Sequence, residues 1–121
     1  MIFLLFCFII LTMDINLEYR KGILFIRING FLTKRYVNKM SEEVIPIVLK
    51  NGIRFIVFNL DNLKDLDNKG IDSLIELQLL ARRNNGRISI CGASRDIKNK
   101  IKDILPVTSN NELKALEYFR V

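Results

Sequence analysis

A chain of 121 residues, half of them hydrophobic and with only six Gly and two Pro, suits one domain with a real core and argues against disorder. Its 19 basic and 13 acidic residues leave a net charge of +6, but the Lys and Arg are scattered along the chain, so the charge does not read as a nucleic-acid footprint. There is no His, which removes the usual general base, the Ser-His and Cys-His nucleophiles and every His-containing zinc site.

Ile2 to Leu11 is an unbroken apolar run. It is shorter than the roughly 20 residues that span a bilayer, and it lacks a basic leading region and a small-residue cleavage site. Three readings compete: a divergent membrane anchor, a core strand, or translated upstream sequence ahead of a start at Met13. The last is favoured, because everything expected of a compact domain begins at Asp14. The expected division is an apolar extension over 1–13 and a domain over 14–121.

Ile15, Leu17 and Tyr19 alternate in a half-buried strand. Lys21-Gly22 makes a turn into a second strand, Ile23 to Ile28, so the pair reads as an antiparallel hairpin. Asn29-Gly30 ends that strand. Thr33 is placed to cap a helix in which Tyr36, Val37, Met40, Val44 and Val48 keep helical period. Pro46 lies inside it and predicts a kink or a break, at a cost of about 3 kcal/mol.

Phe55-Ile56-Val57-Phe58 reads as a strand buried on both faces. Asp61 to Lys69 is a polar loop, which delivers the chain onto an amphipathic helix with Ile71, Leu74, Ile75, Leu79 and Ala81 inward. Asp67 or Asn68 caps its first turn, Asp72 adds negative charge there, and Asn84-Asn85-Gly86 stops it. A core strand that leads through a polar loop to a helix N-terminus is a common seat of function in α/β proteins.

Ile88-Ser89-Ile90-Cys91 is a further strand, with Cys91 a small buried residue. The only other cysteine, Cys7, pairs with it in no recognisable metal or disulfide pattern, and a reduced, cytosolic setting is the simplest fit. A helix through Ile97, Ile101 and Ile104 stops at Pro106. Arg95, Lys98, Lys100 and Lys102 upon it read as a solvated face. Val107-Thr108 adds an edge strand, Ser109 to Glu112 reads as a capping box, and a last helix carries Leu113, Leu116 and Phe119 inward. The order ββαβαβαβα predicts an α/β domain with one mixed sheet of four to five strands and helices packed against it.

Signatures of catalysis are missing. The glycines, at 22, 30, 52, 70, 86 and 92, fit no phosphate-loop spacing. Asp61, Asp65 and Asp67 share a loop, yet Lys64 and Lys69 lie among them and no EF-hand pattern is present. No catalytic residue, metal or cofactor is expected.

The strand FIVFNLDNL, the loop DLDNKG and the helix IDSLIELQLLARRNNGRISICG resemble the STAS domain, the fold of bacterial anti-sigma factor antagonists. Asn59-Leu60, Asp67-Asn68-Lys69-Gly70 and Asn84 to Arg87 stand where that family has a strand ending in an Asp-Leu-like pair, an Asp-Ser-Ser-Gly or Asp-Ser-Thr-Gly loop, and an Asn-x-Gly-x turn. Gly30 to Thr33 is similar to the family's Gly-x-Leu-Thr segment. The resemblance implies a cytoplasmic, non-enzymatic module that docks on an anti-sigma factor, often a kinase-like ATPase, and so regulates transcription. Neither nucleic acid nor a membrane is an expected partner, and oligomeric state is left open. In the family the partner kinase phosphorylates the hydroxyl residue just before the loop glycine. Here that position is Lys69, preceded by Asn68, and neither carries a hydroxyl. The chain then binds constitutively, is switched elsewhere, or only docks as a scaffold.

The expected partner-binding residues are Asp67, Asn68, Lys69, Gly70, Ser73 and Leu80. Asp67 would fix the loop, Asn68 and Lys69 would make contacts, and Gly70 would permit close approach. Ser73 is expected on the outer helix face beside Asp72, Glu76 and Arg83. Leu80 is expected on the same face as an apolar anchor. The alternative reading is a STAS module that accompanies a membrane protein or signalling complex.

Overall fold

The computed structural model describes residues 12–106 and 108–119. The apolar run Ile2 to Leu11, Cys7 and Val107 lie outside them.

β1 (Met13–Arg20) and β2 (Ile23–Leu32) form the expected antiparallel hairpin, in register from Met13↔Gly30 to Arg20↔Ile23. Its turn residues, Lys21 and Gly22, both have positive φ, 53° and 82°. That is the geometry of a type I′ turn, whose twist matches the flanking strands and which glycine enters without strain. β2 then pairs in parallel with β3 (Phe55–Asn59), β3 with β5 (Arg87–Cys91), and β5 with the short β6 (Thr108–Ser109).

Among the described residues the sheet has six strands rather than four to five. The extra one is β4 (Leu63–Leu66), inside the segment expected to be a polar loop, and it pairs with an extension of β2 beyond Gly30. Gly30 faces Leu63 and Phe31 faces Asp65, so Lys64 is skipped in a bulge. The bulge brings Leu63 and Leu66, three residues apart, both to buried positions. That spacing matches no strand period, which is why the segment reads as a loop in the sequence.

α1 (Val37–Asn51), α2 (Asn68–Arg83) and α3 (Arg95–Ile101) pack over one face of the sheet. Their Met40, Val44, Val48, Leu74, Leu77, Ala81, Ile97 and Ile101 meet Leu24, Ile26, Ile28, Ile56, Phe58, Ile88 and Ile90. The other face carries a smaller cluster, in which Ala115 of α4 (Glu112–Glu117) is buried on Phe25, Val57 and Cys91, with Leu116 and Phe119 beside it. Burial on both faces explains the near-continuous apolar runs of β2 and β3.

Four local expectations are corrected. Tyr36, not Thr33, is the α1 N-cap, and its side chain makes no capping hydrogen bond among the described residues. Thr33 contributes its backbone carbonyl instead, which accepts from the N–H groups of Tyr36 and Val37. Pro46 does not break α1, which runs on to Asn51. Pro46 is exposed while Met40, Val44 and Val48 are buried, so the lost hydrogen bond falls on the solvated side. The Ser109–Glu112 capping box does not form: Asn111 Oδ1 accepts from the Lys114 N–H at 2.9 Å, and Glu112 is engaged elsewhere. Leu113 points outward, 75% exposed, and Ala115 takes the core position. Cys91 is buried as expected, and burial pushes its thiol pKa up to about 11.

Candidate functional site

The site is built where β4 hands the chain to α2. Asp67 is the N-cap, as expected. One carboxylate oxygen accepts from the Gly70 N–H at 2.9 Å, and the other accepts from the Lys34 N–H at 2.8 Å. A single side chain thus ties the first turn of α2 to the segment that enters α1. Partial burial disfavours its charge, but the backbone N–H groups of Lys34, Gly70 and Lys69 outweigh that and hold the pKa below the usual carboxylate range.

Gly70 is buried, not presented to a partner. A Cβ there would clash with the Leu32 backbone carbonyl and lie 2.8 Å from Leu66 Cδ1. The glycine therefore permits close approach between α2 and β2, which corrects its expected role. Ser73 is also buried, and its hydroxyl donates to the Gly70 carbonyl at 2.6 Å, so it does not share the outer face with Asp72 and Glu76. Leu80 is half-buried against the core. Leu79, expected inward, is 51% exposed.

The outer face of α2 is therefore a stripe of Lys69, Asp72, Glu76, Leu79 and Arg83 with Asn68 at its start, all exposed. Their spacing of three and four residues keeps them on one side of the helix. Leu79 is the apolar member that sequence reasoning missed. The only available signal was the phase of the helical wheel, and one residue of phase separates it from Leu80.

Beside this stripe lies a groove of about 450 Å³ lined by Asp65, Leu66, Asp67, Asn68, Ile71 and Lys100. Lys100 of α3, expected to be merely solvated, reaches over it. Its Nζ donates to Asp65 Oδ1 at 2.9 Å and to the Leu66 carbonyl at 3.0 Å. The Lys100 ammonium and the Leu66 N–H hold the Asp65 carboxyl below its ordinary pKa.

On the opposite sheet face, Glu112 accepts from Arg27 Nε at 2.7 Å, from Arg27 Nη2 at 2.9 Å and from Asn59 Nδ2 at 2.7 Å. Hydrogen bonding to Arg27 lowers the Glu112 pKa, and the same contact raises that of Arg27. This network fastens α4 to β2 and β3, so it is structural. Among the described residues no group of three or more His, Cys, Asp or Glu is placed to hold a metal ion, and no helix is long and apolar enough to cross a membrane. The arrangement is a capped, polar helix start with Asn68 and Lys69 exposed.

The family model of the STAS domain matches residues 14–105. Among solved structures, the phosphorylated form of the Bacillus cell fate determinant SpoIIAA is similar at a TM-score of 0.73 and 18% identity, over 88% of this chain and all of that one (100%). An anti-sigma factor antagonist from Mycobacterium paratuberculosis is similar at a TM-score of 0.77 and 14% identity, over 91% of this chain and 96% of that one. The murine Solute Carrier 26 family member A9 anion transporter matches at a TM-score of 0.75 and 12% identity, over 96% of this chain but only 24% of the transporter.

Proposed function

The chain belongs to the STAS domain family, and on that ground we propose that it is an anti-sigma factor antagonist-like module that docks on an anti-sigma factor of the kinase-like ATPase type. Its surface would be the N-terminal turn of α2 and the outer stripe that runs on from it, with Asn68 and Lys69 in contact, Leu79 further along as apolar anchor, and Asp67 and Gly70 holding the turn in shape. The observation that supports this most is the double tie of Asp67 to Gly70 and Lys34, which presents Asn68 and Lys69 outward on a fixed frame. A pre-ordered loop loses little entropy on binding. Ser73 and Leu80 support the surface from beneath.

In this reading the complex is not toggled by phosphate at the loop, because Asn68 and Lys69 have no hydroxyl. The module binds constitutively in the cytoplasm, and release of the sigma factor follows its abundance. No catalytic step is assigned. The test is calorimetric titration of the chain into kinase-type anti-sigma factors from the same genome. We expect one to bind, and Lys69→Glu to weaken it at least about tenfold through reversed charge at the contact, with the circular dichroism spectrum unchanged. Unchanged affinity would retire this surface.

A second reading is a STAS module joined to a membrane protein. It is favoured by the apolar run Ile2 to Leu11 and by the likeness to one part of an anion transporter. Membrane pelleting of the native chain that disappears on deleting residues 1–12 would support it over the first.

A further inference from the structure

We propose that β1 is a self-complementary edge through which two copies of this chain pair as antiparallel strands, centred on Leu17. The inference is independent of the docking surface at α2. In a hairpin with a two-residue type I′ turn, the pair that flanks the turn is hydrogen-bonded, and such pairs then alternate with open ones. Arg20↔Ile23 flanks the turn here, so Arg20, Glu18, Asn16 and Asp14 direct their backbone groups toward β2. Ile15, Leu17 and Tyr19 direct theirs to the outer edge. Gly30, opposite Met13 in an open pair, fits this phase: its N–H points away from β1 and donates to the Asn62 carbonyl at 3.0 Å.

Among the described residues, nothing pairs with that outer edge. The edge is eight residues long and has neither proline nor bulge. Its apolar side is also unfinished, because Ile15 and Leu17 are only half-buried and Tyr19 is 56% exposed. A straight edge with free backbone groups and an apolar flank is what unpartnered strands usually avoid.

Charge names the occupant and the register. With Leu17 opposite Leu17 of the second copy, the three outward-facing residues exchange about six backbone hydrogen bonds across the two-fold axis. Ile15 then packs against Tyr19 of the copy. On the polar face Asp14 meets the copy's Arg20, and Asn16 meets its Glu18; the Asp14 and Arg20 side chains are both exposed, and Arg20, ion-paired within its own strand to Glu18 at 3.3 Å, would turn from that solvated contact to the copy's Asp14. A slip one way sets Asp14 against Glu18, and a slip the other way sets Glu18 against Glu18. Like charges directly opposite are destabilising, so the central register wins. One strand pair is small beside the roughly 1,600 Å² of a standard interface, so the dimer should be reversible and concentration-dependent.

Analytical ultracentrifugation of the full chain over micromolar to millimolar concentration tests this. We expect a monomer–dimer equilibrium. Asp14→Arg alone and Arg20→Asp alone should each weaken it about tenfold or more, whereas the double exchange restores it. Leu17→Pro should abolish the dimer and leave the monomer folded, since an edge strand tolerates proline where its N–H faces outward. A monomer at every concentration, a dimer insensitive to these variants, or a double exchange that fails to restore pairing would each overturn the proposal.

Discussion

At Asp67 one carboxylate does two jobs, capping α2 and gripping the Lys34 N–H. Asp67→Ala should therefore cost more than an isolated cap, about 1 to 2 kcal/mol in urea denaturation, and should speed amide exchange at both Lys34 and Gly70. Gly70→Ala should also destabilise, by roughly 1 to 3 kcal/mol, because the obstacle is the Leu32 backbone rather than a side chain that can swing aside. The capping role of Asp67 was legible in the sequence, since capping chemistry acts within four residues. The buried positions of Gly70 and Ser73 were not legible. They depend on how closely α2 lies against β2, and no local pattern encodes that distance.

Helices and strands were legible wherever one face met one core. α2 shows this at its far end, where Asn84 and Asn85 stop it: Asn85 takes φ 63°, and the Gly86 N–H returns to the Ala81 carbonyl at 2.8 Å. β4 was hidden because its bulge breaks the alternation that would reveal it. The supposed capping box failed for a different reason. Glu112 is drawn 85 residues back along the chain by Arg27, a stronger partner than a backbone N–H. Pro46 gives the clearest test at this scale. Proline→alanine there should raise stability by about 1 to 3 kcal/mol in urea denaturation, since the helix already continues past it and only the missing hydrogen bond is regained.

For the molecule as a whole, the mixed sheet and its helix order followed from the pattern of apolar runs, while the division into two cores did not. The unbroken apolar run of β3 shows that both of its faces are covered but not which element covers each. α4 closes the smaller core, and its attachment rests on the Arg27–Glu112–Asn59 network. Glu112→Ala should cost roughly 2 kcal/mol and raise exchange in β6 and α4 more than in α1. Asp65, Asp67 and Glu112 all have pKa values lowered in the folded chain. Their contribution is thus present above the ordinary carboxylate pKa, and it is lost as pH falls through the lowered values. Thermal denaturation should show a flat plateau near neutrality and a decline in acid. Lys100→Met should reduce the part of that decline due to Asp65.

The Lys21-Gly22 turn has a kinetic corollary. A hairpin closed by two residues zips on the order of microseconds, whereas each parallel pairing must wait for a helix-length crossover to be drawn in. β2 therefore meets β3 with one flank already occupied. β3 can join β2 on the free flank alone, so the rival arrangement with β3 on the wrong side of β2 is foreclosed before the slow steps begin.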